Sequence, residues 1–129
     1  MKTFSGDGVA LINTNSDPLP SVSTDTGRGL IVQPDGKILV VSSTTTIVGG
    51  NDIALSRLNA NGTLDTTFGG GDGIVTTSIA AGTGNDTAAS VTLQANGKIL
   101  VTGMTTTPTG GGEIALVRYN ADGSLDTTF

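Results

Sequence analysis

Residues 51–68 read NDIALSRLNANGTLDTTF, and residues 112–129 read GEIALVRYNADGSLDTTF. Twelve of these eighteen positions are identical, at a constant offset of 61. At the same offset QPDGKILVV (33–41) matches QANGKILVT (94–102), and TFSGDGV (3–9) matches TFGGGDGIV (67–75) with one inserted glycine. Gapless identity of this density is the mark of a repeated supersecondary unit. The unit is about 60 residues long, and the 129-residue chain holds two, residues 1–66 and 67–129, within one structural domain.

Inside each unit the apolar runs have strand length and are rich in β-branched residues. In the second unit they are residues 73–79 (GIVTTSI), 88–94 (AASVTLQ), 98–104 (KILVTGM) and 113–119 (EIALVRY). The first unit repeats the order at 9–13, 30–33, 37–43 and 53–58. Asp35-Gly36 and Asn96-Gly97 tolerate positive φ, so each is expected to close a tight hairpin between the second and third strands of its unit. The Thr- and Gly-rich stretches 42–52 and 104–112 read as connecting loops. No window sustains a 3.6-residue period, so no helix is expected.

Four short antiparallel strands per repeat make a meander that cannot cover both of its own faces. Stacking copies face to face solves this, and radial stacking gives β-propeller-type blades. The expected fold is therefore all-β, with two four-stranded antiparallel blades. A two-sheet β-sandwich built from the two units is the alternative.

Composition removes several classes of function. The chain has no Cys and no His, so it lacks a thiolate nucleophile, a disulfide and the commonest general base and metal ligand. A net charge of -5 argues against a nucleic-acid partner, which calls for a basic face. No apolar run approaches 18 residues, so membrane insertion is not expected. Met1-Lys2 leads at once into a Gly/Asp turn, which does not read as a secretory signal. Charged residues are only 13% of the chain, while Thr occupies 22 positions, a balance that suits a bacterial extracellular or cell-surface protein.

In cyclic order, NADGSLDTTF, GGGDGIV, QANGKILVTG and EIALVRYN resemble the bacterial delta-60 repeat, and the resemblance covers nearly the whole chain twice over. It implies a β-propeller-like fold, tandem arrays in large secreted or surface proteins, and no enzymatic activity or catalytic residues to carry over. Unit one departs from the pattern with SGDG for GGDG, Leu58 at the place of Tyr119, and Asn61 at the place of Asp122. It also carries a divergent stretch, NTNSDPLPSVSTDTGRG, before its second strand.

Several residues stand out as candidate sites. Residues 118–126 read RYNADGSLD and residues 57–65 read RLNANGTLD. Asn120, Asp122, Gly123 and Asp126 fall at calcium-loop spacing, but Arg118 holds the first ligand place and Asn61 is neutral in the other copy. A guanidinium brings the carboxylates the positive charge that a metal would supply. The favoured reading is an internal ion pair, Arg57 with Asp65 and Arg118 with Asp126, pinning the inter-blade turn. An ordinary solvated turn comes second and Ca²⁺ last. Gly36, Gly62, Gly73, Gly97 and Gly123 read as turn glycines that need positive φ. The run GGGDG at 69–73 reads as a backbone crossing from one blade to the next, since no helix follows to make it a phosphate cradle. Phe4, Phe68 and Phe129 recur at the start of that crossing and are expected to fill gaps between blades. Lys37 and Lys98 read as exposed strand ends. No nucleophile has a base beside it in the pattern, so no enzyme and no cofactor is expected.

Two blades leave an apolar face at either end, and neither end shows a polar cap. The interface joining unit one to unit two can then join chain to chain, head to tail, closing a ring or running on as a filament. Propellers commonly hold six to eight blades, so three or four chains per ring are expected, with three favoured. The expected role is a non-enzymatic, self-associating scaffold with itself as partner. The alternatives are a module binding glycan or protein through the Thr-rich loops, and a calcium-stabilised adhesin or filament subunit.

Overall fold

A computed structural model describes residues 6–14, 24–46, 49–80, 83–107 and 109–129. Among these there are seven strands and no helix: β1 (Asp25–Val32), β2 (Ile38–Thr45), β3 (Asn51–Leu58), β4 (Ile74–Thr77), β5 (Asn85–Leu93), β6 (Ile99–Thr106) and β7 (Gly112–Tyr119). They form two antiparallel sheets, β1-β2-β3-β4 and β5-β6-β7. The second sheet thus has three strands among the described residues, where the sequence suggests four.

Each sheet opens with a hairpin turned by the dipeptide that the sequence singles out. In the first, Gly36 N–H donates to the Gln33 carbonyl at 2.9 Å, and the Asp35 carboxylate accepts the Lys37 N–H. Gln94, Asn96, Gly97 and Lys98 repeat this pattern. The second hairpin of each sheet is longer in strand than the sequence suggests. β2 runs through Thr45 and β6 through Thr106, so the connections shrink to residues 46–50 and 107–111. About half of the Thr-rich stretches read as loops is therefore strand, 42–45, 51–52, 104–106 and 112, because β-branched Thr fits a pleated ladder once a neighbour is present.

Two further corrections concern where strands belong. The glycine run at 69–73 does not cross between blades. It returns the chain from β3 to β4 in the same sheet, with Ile53 opposite Thr77 and Ser56 opposite Ile74. Here positive φ is needed: Gly73 sits at φ 83°, and a Cβ there would meet Leu64 and Asp65 at 3.1–3.2 Å. The passage to the second sheet comes after β4 instead. Residues 9–13, expected to be the first strand of unit one, form no strand. Their counterparts in β4 are a strand because β3 lies alongside, whereas no strand flanks 9–13 among the described residues. An unpaired strand has no ladder for its backbone groups.

The sheets pack face to face through β5, which crosses β1, β2 and β3. Leu39, Val41, Ile53 and Leu55 from the first sheet meet Ala88, Val91, Ile99, Val101, Val117 and Tyr119 from the second, with Phe68 between them. Strand alternation makes this contact two-faced. Ile53 and Leu55 point into it from β3, whereas on β7 it is Ala115, Val117 and Tyr119 that are buried. The two repeats therefore use opposite faces of the same unit. Replacing Phe68 by Ala is expected to cost about 3–5 kcal/mol, read from urea unfolding. A midpoint unchanged from the parent would contradict this packing.

Candidate functional site: the seam between the sheets

The same turn follows β3 and β7, and it gathers four of the six cationic side chains around Asp65 and Asp126. After β3 the chain folds back so that Asp65 N–H donates to the Arg57 carbonyl at 2.9 Å. This brings the Arg57 Nε to 2.7 Å from Asp65 Oδ2. Lys37 reaches the same oxygen at 2.7 Å, and Asp65 Oδ1 accepts the backbone and hydroxyl of Thr67. The second copy matches: Arg118 Nε lies 2.6 Å and Lys98 Nζ 2.7 Å from Asp126 Oδ2, and Thr128 donates twice to Oδ1. Phe68 and Phe129 each lie beneath their guanidinium, 4.4 Å from ring centroid to Cζ.

Lys37 and Lys98 are thus half-buried members of a three-residue cluster and not exposed strand ends. Sequence reading paired the Arg with the Asp and missed the Lys. The signal was present, since each Lys stands 28 residues before its Asp and directly after the hairpin Gly.

The calcium-spaced residues are differently engaged. Asp126 is shared by two cationic side chains, Asp122 Oδ1 accepts the Ser124 N–H and hydroxyl, and Asn120 Oδ1 accepts from Lys98. Ammonium and guanidinium groups stand against the oxygens that a cation would need. Among the described residues, no three acidic side chains are grouped to hold a metal ion.

Burial pushes the Asp65 carboxyl upward, but hydrogen bonds from Lys37, Thr67 and Arg57 outweigh it and hold the group well below the ordinary 3.8. Asp126 is lowered in the same sense, by Lys98 first and then Thr128 and Arg118, against a smaller effect of burial. Above the Tyr119 ring position the opposite holds: burial raises the phenol above its usual 10 although its hydroxyl is 2.7 Å from Thr77 Oγ1.

The first cluster also ties the sheets together. Arg57 Nη1 donates to the Ala121 carbonyl at 2.7 Å, and Gly69 N–H donates to the Asp122 carbonyl at 2.9 Å. Phe68 slots under the same turn of the second sheet, where a Cβ on Gly123 would fall 2.8 Å from its ring. Gly36, Gly62, Gly97 and Gly123 all have positive φ, between 82° and 91°. Phe4 lies outside the described residues.

Equivalent residues in the two copies differ sharply in burial. Ile53 is 0% exposed, and its counterpart Ile114 is 88% exposed. Leu55 is likewise enclosed while Leu116 is open. On the opposite flank Leu30 is 62% exposed, against 6% for its counterpart Val91. Phe129 is open where Phe68 is enclosed. Equivalent positions are thus enclosed in the seam in one copy and open in the other.

Stacked antiparallel sheets of repeated sequence, joined by a shared turn lock, are propeller-type blades. The family described as "Domain of unknown function (DUF5122) beta-propeller" matches residues 33–68 and again residues 94–129, and the chain belongs to it. A search of the curated proteins and a search of the solved structures each returned no match.

Two outcomes test the lock. Arg57→Met leaves Asp65 and the Ala121 carbonyl short of a buried partner and is expected to cost about 3 kcal/mol in urea unfolding. An unchanged midpoint would show that the pair is idle. Because Asp65 and Asp126 have lowered folded pKa values, their contribution is full above about pH 4 and is lost as pH falls below it. Melting temperature is expected to drop between pH 5 and pH 2 (roughly the span set by such shifts), and more shallowly in Asp65→Asn.

Proposed function

We propose that the chain is a non-enzymatic, self-associating scaffold module built from delta-60-like repeats, which joins further copies of itself head to tail. The observation that carries this reading is the unequal burial of equivalent positions, Ile53 at 0% and Ile114 at 88% exposed. Each large aliphatic side chain covered at such a surface contributes about 1.5–3 kcal/mol. The open flank of the second sheet carries Ile114 and Leu116, copies of the residues that already bind β5. The open flank of the first sheet carries Leu30 and Val32, copies of Val91 and Leu93 on that same β5. One surface therefore complements the other, and the contact is heterologous. Repetition of it closes a ring, with three chains favoured, or extends a filament.

The delta-60 resemblance and the Thr-rich, Lys-poor composition support a bacterial extracellular or surface setting. A glycan- or protein-binding role leaned on the Thr-rich loops. Strands take up 42–45, 51–52, 104–106 and 112 of these stretches, which favours the scaffold reading. The acidic balance supports neither a nucleic-acid nor an anionic-membrane partner.

Size-exclusion chromatography with light scattering tests the reading. A mass near three times 12.8 kDa, or a polydisperse filament, is expected. A stable 12.8 kDa species at all accessible concentrations would overturn it.

A further inference from the structure

Resting on the scaffold reading, we propose that association also proceeds by strand addition: residues 9–12 of one copy become the fourth strand of the second sheet of another, pairing antiparallel with β7.

The first sheet shows what is needed. Its fourth strand, β4, comes from the segment that follows β3, and the two pair from Ile53–Thr77 to Ser56–Ile74. β7 is the counterpart of β3 at the offset of 61, yet no strand pairs with its outer edge among the described residues. Free edges are usually blunted by Pro, Lys or a bulge. β7 (GEIALVRY) has no Pro and no Lys, its Arg118 is drawn to Asp126 and leaves Glu113 as its one other charge, and its pairing with β6 runs without a break from Ile99–Tyr119 to Thr106–Gly112.

A segment of matching build is present in the chain. Asp7-Gly8-Val9 aligns with Asp72-Gly73-Ile74, and the two share a local bond: Asp7 Oδ1 accepts the Val9 N–H at 2.9 Å, as Asp72 Oδ1 accepts the Ile74 N–H at 3.0 Å. The far ends match as well. Thr14 N–H donates to Asp25 Oδ2 at 3.0 Å, and Ile79 N–H donates to Asp86. Thr14 and Ile79 correspond through the offset of the segment, and Asp25 and Asp86 through the offset of the blades. Residues 7–14 are therefore tied to β1 as 72–79 are tied to β5. Between these ties, 74–77 lie on β3, whereas 9–12 have no strand beside them among the described residues, and Leu11 is 94% exposed.

Transferring the β3–β4 register gives the pairing: Ile12 opposite Ile114, Leu11 opposite Ala115, Ala10 opposite Leu116 and Val9 opposite Val117. The same movement lays the Leu30 and Val32 flank of the incoming copy over Ile114 and Leu116. Strand addition and face packing are then parts of one contact. Because the segment is tied to β1 at Asp25, the partner that brings it must bring a first blade too, and a second copy of this chain does so.

The absence of Cys makes the register directly readable. Leu11→Cys and Ala115→Cys chains are prepared separately, mixed and oxidised. Opposed antiparallel residues have Cα atoms about 4.5–5.5 Å apart, within disulfide reach. A disulfide-linked heterodimer is expected from this mixture and is expected to be lost in a mixture of Ala10→Cys with Ala115→Cys, since a one-residue slip turns the side chain to the other face. An assembled protein of parent mass that yields no Leu11–Ala115 link, or links both pairs equally, overturns strand addition while leaving the scaffold reading intact. A monomer overturns both, as does a finding that these surfaces are covered only by further repeats of a longer chain. Ala10→Pro offers a second route, because it removes a ladder donor in a segment outside every strand. Loss of the assembled mass with the parent circular dichroism spectrum is expected, and retention of the assembly overturns the proposal.

Discussion

A four-stranded blade in this protein is not completed by its own repeat. β4 belongs to the second sequence unit, yet it pairs with β3 of the first. The fourth strand of the first blade is supplied by the segment that follows its repeat, and much of the architecture follows from this dependence. The glycine run at 69–73 exists to turn the chain back along β3. The passage to the next blade is made after β4, where Asp86 accepts the N–H groups of Ile79 and Ala80. Pairing thus crosses the repeat boundary, and packing crosses it a second time through β5.

The turn lock converts that continuity into a defined geometry. Asp65 gathers Lys37 from the hairpin of its own sheet and Arg57 from β3, and Arg57 then reaches the turn of the next sheet at Ala121. Phe68 beneath the guanidinium excludes water from the pair, which strengthens each bond and raises the cost of losing either partner. In the second copy Arg118 keeps Asp126 and Phe129, without bonds like those of Arg57 to Ala121 and Thr67 among the described residues.

Much of this was legible in the sequence. The offset of 61 gave the repeat, the β-branched runs marked the strands, Asp35-Gly36 and Asn96-Gly97 marked the hairpins, and the conjunction of Arg and Asp on either side of one turn pointed to their pairing. What periodicity could not show is which neighbour a strand chooses. Residues 9–13 and 73–79 look alike, and only the presence of β3 makes one of them a strand. The Thr-rich stretches divide between strand and connection for a related reason: Thr is polar enough for a loop and β-branched enough for a strand, and a facing strand decides. Lys37 escaped because its partner lies 28 residues away, beyond any local pattern. The burial contrast between Ile53 and Ile114 arises from tertiary context alone, since both sit in the same local sequence.

The central claim is that sibling blades complete one another, in packing and in backbone pairing. Hydrogen–deuterium exchange of individual amides measures this at the edge itself. In the assembled protein the Leu116 amide should exchange as slowly as that of its counterpart Leu55, which lies opposite Val75 in β4. A Leu116 amide that exchanges freely while Leu55 stays protected would show an open edge and would contradict the account.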